Sequence, residues 1–469
     1  MKRRDFLSSA SAATASCLAS HLLHAQSGPP GAAANISGTL TIEESTTLAA
    51  IPQDFIGLSY ESAQLANPAF FSFENTALIA LFRELTEQGV LRLGGGTSEF
   101  TAFTTEESPT AAPFDAVGPD TSKNVKADTP ITPKSLRNLR AFLDAISWRC
   151  LYGLNLGRGP VDRAAEEAFH VQDILGPRLI AFQLGNEPDA WRNRYRPATW
   201  TYADYWREWS AAHAAVIARV PQAKFAGPDV SNKMAYVTGF AEDVKRSSPD
   251  VVLLTSHYYA MGPAGAPGIT LDKLLSSDPK LERDLQIAMT AARSAGLPYR
   301  MSEGNSCWNG GQPSVSDTLA SALWVADMML DFASLGCAGV NLHGGGSGFY
   351  TPIAGNLATG FERRPEYFGM ELIKPFTGAT LIGSKLDCTN DRVRAYAARN
   401  AKSTLVIAIN KSDQPAAIRT ALRHARRQWL LAGPAIDAKQ GVTLTESSAN
   451  ALHKGTLQVP AYSAILLEN

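Results

Sequence analysis

Cysteine is scarce in this chain: five residues in 469, with no CxxC pair and no zinc-ligand spacing. Cys150, Cys307, Cys337 and Cys388 are scattered through apolar stretches and read as small buried residues, with their pairing left open. Net charge is also nearly absent, since 43 Lys and Arg against 44 Asp and Glu leave a balance of -1. No whole-protein field would hold such a chain on nucleic acid or an anionic membrane, so an acidic substrate must be recognised locally. Several catalytic signatures are missing too. There is no HExxH or other regular metal spacing, so no metal is expected, and His257 and His343 read as polar lining. No GxSxG elbow comes after a strand, which argues against a Ser-His-Asp hydrolase. The triple glycine Gly94-Gly95-Gly96 lacks the Gly-Lys-Ser/Thr of a phosphate loop; it reads as a place for backbone to approach a substrate, and no cofactor is expected.

What is present begins with an address. Lys2-Arg3-Arg4-Asp5-Phe6-Leu7 precedes an Ala/Ser-rich, mildly apolar stretch ending near Ala25, the pattern of a twin-arginine export signal over residues 1–25. Its apolar part is too weak for a membrane span, and periplasmic or secreted destination is expected. Residues 26–49 read as a linker and then a strand. From Phe55 onward short apolar runs alternate with amphipathic helical patterns, the signature of parallel strands joined by helical crossovers. Eight runs can be traced: Phe55 to Ser59, Val90 to Leu93, Arg149 to Leu156, Leu179 to Leu184, Lys224 to Ala226, Val251 to Ser256, Tyr299 to Ser302, and Cys337 to Leu342. Helices are predicted over Pro133 to Ile146, Tyr202 to Arg219, Leu271 to Ala295 and Val315 to Leu335. The expected fold is a (β/α)8 TIM barrel over residues 50–375, with a β-sandwich over 376–469 that the strand near Ile36 to Ile42 completes.

In such a barrel the active site is built from the residues just beyond the carboxyl end of each strand. The fourth run delivers Gly185-Asn186-Glu187-Pro188, and the seventh delivers Ser302-Glu303-Gly304. Glu187 alone could belong to a helix-capping or turn cluster. Together, three strands apart, the two glutamates project across one mouth, where one carboxyl protonates a leaving oxygen and the other attacks an anomeric carbon. Glu187 is the candidate acid/base and Glu303 the candidate nucleophile of a retaining glycosidase.

These two motifs resemble the clan of retaining barrel glycosidases, and the barrel with its β-domain resembles glycoside hydrolase family 79, which contains β-glucuronidases and heparanases. The resemblance implies an exo-acting β-glucuronidase working through a covalent glycosyl-enzyme, with Asn186 bonding the sugar 2-hydroxyl. It further implies that Glu61 binds sugar hydroxyls, that Tyr259 bonds Glu303, and that amides near Gly310 and Gly311 with the Tyr350 hydroxyl take the uronic acid carboxylate. Glycine permits such an anion nest because bare main-chain N–H groups can approach. Trp308 either stacks on a sugar or packs a loop. The competing readings are a neutral-sugar glycosidase of the same clan, an endo-acting heparanase-like enzyme, and a carbohydrate-binding protein without turnover. A carbohydrate substrate, no nucleic acid, no membrane span and a monomer complete the expectation.

Overall fold

The structure, a computed structural model, describes residues 36–106, 129–448 and 450–469, so the expected export signal lies outside the described residues. Eight parallel strands close into a barrel in chain order, numbered one to eight: Ile56–Glu61, Val90–Gly94, Arg149–Leu154, Leu179–Leu184, Phe225–Val230, Val251–Pro263, Tyr299–Trp308 and Gly339–Gly344. Most of their residues are buried on both faces, which is why they read as continuous apolar runs rather than alternating ones. Strands six and seven are longer than expected. They stay paired beyond the barrel mouth, through Asn305 with Tyr259 and Cys307 with Met261, and form a wall above it.

Helices start where local chemistry satisfies their free N–H groups. Thr132 caps Pro133–Ile146 by accepting from Ser135 N–H, and Thr201 with Asp204 forms a reciprocal capping box on Tyr202–Arg219. The single helix expected over Leu271 to Ala295 is instead two, Leu271–Leu275 and Pro279–Ala295. Pro279 starts the second, and it holds Asp278 in extended backbone, where the Asp278 carboxylate caps the new helix. Helix Leu319–Ser334 is buried almost all round, because it lies between the barrel and the second sheet.

That sheet has ten strands, and the N-terminal strand Ile36–Ala50 sits inside it, antiparallel to Thr380–Cys388 and parallel to Ala416–Thr420. The sheet curls around its own apolar core, in which Ile36 and Leu40 meet Val406, Ile418, Val459 and Ile465. Its other face joins the barrel core through Leu405, Ile407, Ile409, Trp429 and Leu466. The run Thr456 to Glu468 is interrupted at Pro460 and becomes strands Thr456–Val459 and Ser463–Glu468. Cys150, Cys307 and Cys337 are buried, Cys388 is half-buried, and none is in a disulfide. Among the described residues no helix is long and apolar enough to cross a membrane. Near the C-terminus Arg427 pairs with Glu446 and Glu468 and lies over Trp429.

Candidate active site

Strand four ends in a turn that aims Glu187 inward. Gly185 has φ 84° and Glu187 φ 50°, a left-handed conformation uncommon for a residue with a side chain. It is held by two main-chain anchors: Glu187 N–H donates to Asp229 O at 2.9 Å, and Asn186 N–H donates to the Glu99 carboxylate at 2.6 Å. Glu303 is carried by strand seven itself and lies only 6% exposed. Carboxylate oxygens of Glu187 and Glu303 and a ring nitrogen of His257 all lie within 4.8 Å of one another.

The two carboxyl groups meet different surroundings. Burial would raise Glu303, but His343, His257 and Arg92 outweigh it, together with the Tyr259 hydroxyl donating to Oε1 at 2.8 Å, and hold the carboxyl at about 2. Burial pushes Glu187 up, the His257 bond to its Oε1 at 3.0 Å opposes this, and the charge of Glu303 adds to the rise. One group is biased towards carboxylate and its neighbour towards carboxylic acid.

Arg92 is the centre of this arrangement. Fully buried on strand two, it donates to Glu303 Oε2, to Asp229 Oδ2 at 2.5 Å, to Asn186 Oδ1 at 2.8 Å, to Gln183 Oε1 at 3.1 Å and to Ser59 Oγ at 3.2 Å. Asp229, on strand five, also accepts from Ser302 and from Gln183. His257 Nε2 lies 3.2 Å from Asp229 Oδ1, an ion-pair contact poorly aligned for a hydrogen bond. Burial would lower His257, yet Asp229 and Glu303 raise it to about 10, so this imidazolium faces both glutamates. His343 bonds Ser59 at 3.1 Å and stands 3.6 Å from Glu61 and 3.7 Å from Glu303. Both histidines therefore belong to the charged cluster and are more than the lining that the sequence suggested.

Around the pair opens a cleft of about 1060 Å³ lined by Glu61, Asn186, Tyr259, Gly310, His343 and Tyr350, among others. Glu61 accepts from Thr97 N–H at 2.8 Å and from its hydroxyl at 2.5 Å. Gly310 and Gly311 have φ 80° and 86°, and among the described residues neither N–H meets an acceptor. Gly310 lies on the cleft wall, whereas Gly311 packs beneath Tyr350, where an added Cβ would sit 2.7 Å from the Tyr350 nitrogen. Trp308 is on the wall and 45% exposed. The triple glycine serves mainly the protein's own side chains: a Cβ on Gly94 would strike the Arg92 guanidinium, and one on Gly95 the Glu61 carboxylate. Of the three, Gly96 lines the cleft.

Sequence reasoning missed Arg92, Asp229 and Glu99. The available signal was a lone arginine in Val-Leu-Arg-Leu, since a charge in a strand buried on both faces must find partners inside the barrel. Glu99, at the same level, takes N–H groups from Leu156, Gly157 and Asn186, and burial pushes its carboxyl up to about 7 despite them.

No family model matches the chain. Two curated proteins named β-glucuronidase do: one from Aspergillus niger, 26% identical over 69% of this chain and 65% of its own length, and one from Neurospora crassa, 27% identical over 59% and 54%. The matches thus span less than two thirds of either relative. Among solved structures, a 4-O-α-L-rhamnosyl-β-D-glucuronidase from Fusarium oxysporum superposes with a TM-score of 0.71 at 16% identity, covering 92% of this chain and 100% of that one. A GH51 arabinofuranosidase from Xanthomonas axonopodis gives 0.67 at 14%, covering 93% and 99%. The chain is therefore similar in sequence to β-glucuronidases and in fold to barrel glycosidases, in keeping with the resemblance to glycoside hydrolase family 79 that its motifs carry.

Proposed function

We propose that the protein is a retaining, exo-acting β-glucuronidase that removes terminal β-linked glucuronic acid, with Glu187 as acid/base and Glu303 as nucleophile. The observation that carries this reading is the glutamate pair within 4.8 Å, biased to opposite protonation states. With their nearest oxygens this close, the pair suits direct attack, for which carboxyl groups about 5 to 5.5 Å apart are usual, better than the about 6.5 to 9.5 Å by which an inverting enzyme makes room for its water. In the first step Glu187 gives its proton to the glycosidic oxygen as that bond breaks, and Glu303 forms a glycosyl ester at the anomeric carbon. In the second, Glu187 takes a proton from water, the water oxygen replaces the ester, and Glu303 leaves as carboxylate.

Asn186 already accepts at Oδ1 from Arg92, so its amide N–H₂ is left to donate to the sugar 2-hydroxyl. Glu61 accepts from sugar hydroxyls. The unpartnered N–H groups of Gly310 and Gly311 and the Tyr350 hydroxyl receive the uronic acid carboxylate, a reading supported by the activity for which both fungal relatives are named. Export by the twin-arginine route to the periplasm or beyond, and action as a monomer, belong to the same proposal; cell fractionation and light scattering test them.

The decisive experiment is a panel of aryl β-glucuronides, glucosides, xylosides and galactosides, with Glu187→Gln and Glu303→Gln alongside. Glucuronide turnover that both variants abolish is expected. Turnover of neutral sugars alone would remove the uronic acid, product mixtures from internal cleavage would make the enzyme endo-acting, and binding without hydrolysis would leave a carbohydrate-binding protein.

A further inference from the structure

Two residues beyond Glu303 on strand seven lies Asn305, fully buried and outside the cleft. Its Nδ2 faces three acceptors: His343 O at 3.0 Å, Tyr350 O at 3.2 Å and Glu366 Oε2 at 3.1 Å. Its Oδ1 accepts from Ser306 N–H at 2.6 Å. Glu366 stands in the first turn of helix Pro365–Ile373, 1% exposed, with no cation against it among the described residues. Burial raises its carboxyl far above the usual range, and its Oε2 accepts from Asn305.

A second set of contacts ties the same region from the other side. Ser306 Oγ donates to Ser316 Oγ at 2.8 Å, and Ser316 Oγ accepts from Gln312 N–H at 2.9 Å, which fixes the loop after Gly310 and Gly311. Phe349 N–H donates to Gly310 O at 2.6 Å, joining that loop to the one carrying Tyr350. The two glycines and Tyr350 thus lie on different loops, and their spacing depends on buried groups that touch no substrate.

We infer that Asn305, backed by Glu366, is a positioning residue that holds the Tyr350 and His343 segment at a fixed height over Glu303 and so sets the preference for a sugar bearing a carboxylate. The inference rests on the uronic acid reading of Gly310, Gly311 and Tyr350. Bond cleavage itself is served by Glu187 and Glu303, whose contacts with His257, Arg92 and Tyr259 do not pass through Asn305. Loss of Asn305 therefore falls on recognition of the carboxylate end of the sugar.

The test is competitive inhibition by glucuronate and by glucose against one aryl glucuronide, together with KM and kcat, in Asn305→Ala, Glu366→Gln, Glu366→Leu and Tyr350→Phe. Loss of the buried amide contacts to the Tyr350 and His343 carbonyls predicts that Asn305→Ala weakens glucuronate at least about tenfold while glucose changes little and KM moves more than kcat. Glu366→Gln keeps an acceptor and retains wild-type selectivity; Glu366→Leu behaves as Asn305→Ala does. Equal losses for both sugars in Asn305→Ala, or a Glu366→Gln that loses glucuronate as Glu366→Leu does, would overturn the inference. Tyr350→Phe separates the two claims. If it leaves selectivity intact, the uronic acid reading fails; if it abolishes selectivity while Asn305→Ala does not, only the role of Asn305 fails.

Discussion

At the scale of the residue, the site depends on one guanidinium whose donors are fully engaged. Arg92→Met would leave Asp229 and Glu303 buried and short of a partner, and breaking a buried pair in this way costs roughly 3–5 kcal/mol. The sign with pH is set by Glu303, which is held at about 2 against an ordinary 4.5. Its contribution to stability is present above 4.5 and is lost as pH falls through about 2, so the deficit of the variant is largest near neutrality and narrows in acid. With one lowering charge gone, the acid limb of kcat/KM moves to higher pH. Denaturant melts near neutrality and in acid, with a pH-rate profile, check both statements; an unmoved acid limb would mean that Arg92 does not govern Glu303. This is also where the sequence is least legible. Glu187 and Glu303 stand out because each follows a strand-like run in the sequence, but Arg92, Asp229 and His257 acquire meaning only through partners on other strands, and local pattern carries no information about those.

Elements are legible to the extent that burial is uniform along them. Barrel strands and the helices Pro133–Ile146 and Tyr202–Arg219 emerge directly from apolar runs and helical spacing. Strands Thr380–Cys388 and Val393–Arg399 of the second sheet give no such signal, because Lys385, Asp387, Arg394 and Arg399 interleave with the apolar positions and obscure the runs. Nor is the length of strand seven legible, since its extension past Glu303 reads as the polar stretch Gly304-Asn305-Ser306 although all of it is buried. Gly304 is what lets strands six and seven approach next to the nucleophile: an added Cβ would lie 2.3 Å from Tyr258 O and 2.6 Å from Met301 Sδ. Gly304→Ala must push strand seven away from strand six, at a cost of about 1–3 kcal/mol. The same movement draws Glu303 from the Tyr259 hydroxyl, so kcat falls as well as the melting temperature. Wild-type kcat in a destabilised Gly304→Ala would show that the Tyr259 contact tolerates the shift.

At the scale of the molecule, a barrel and a sheet that read as separate domains share one core across their seam, and that seam carries a buried charge. Asp327, inside helix Leu319–Ser334, accepts from Lys411 Nζ at 2.6 Å and from the Tyr396 hydroxyl at 2.7 Å, both from the sheet side. Burial would raise Asp327, but Lys411 and Arg394 outweigh it and keep the carboxyl low. The halves should therefore unfold together, so tryptophan fluorescence, which arises from the barrel apart from Trp429, should change at the same denaturant concentration as far-UV circular dichroism, which also samples the sheet. Asp327→Ala leaves Lys411, only 4% exposed, with a buried charge and costs roughly 3–5 kcal/mol. Because the aspartate is depressed in the folded state, that cost is full above its ordinary value of 3.8 and disappears as acid protonates it. Replacing both partners, Asp327→Leu with Lys411→Met, removes the charge and the need to solvate it, and the double variant should recover most of the stability that Asp327→Ala loses. Two separated transitions in the wild type would instead mean that the shared apolar face contributes too little to couple the halves.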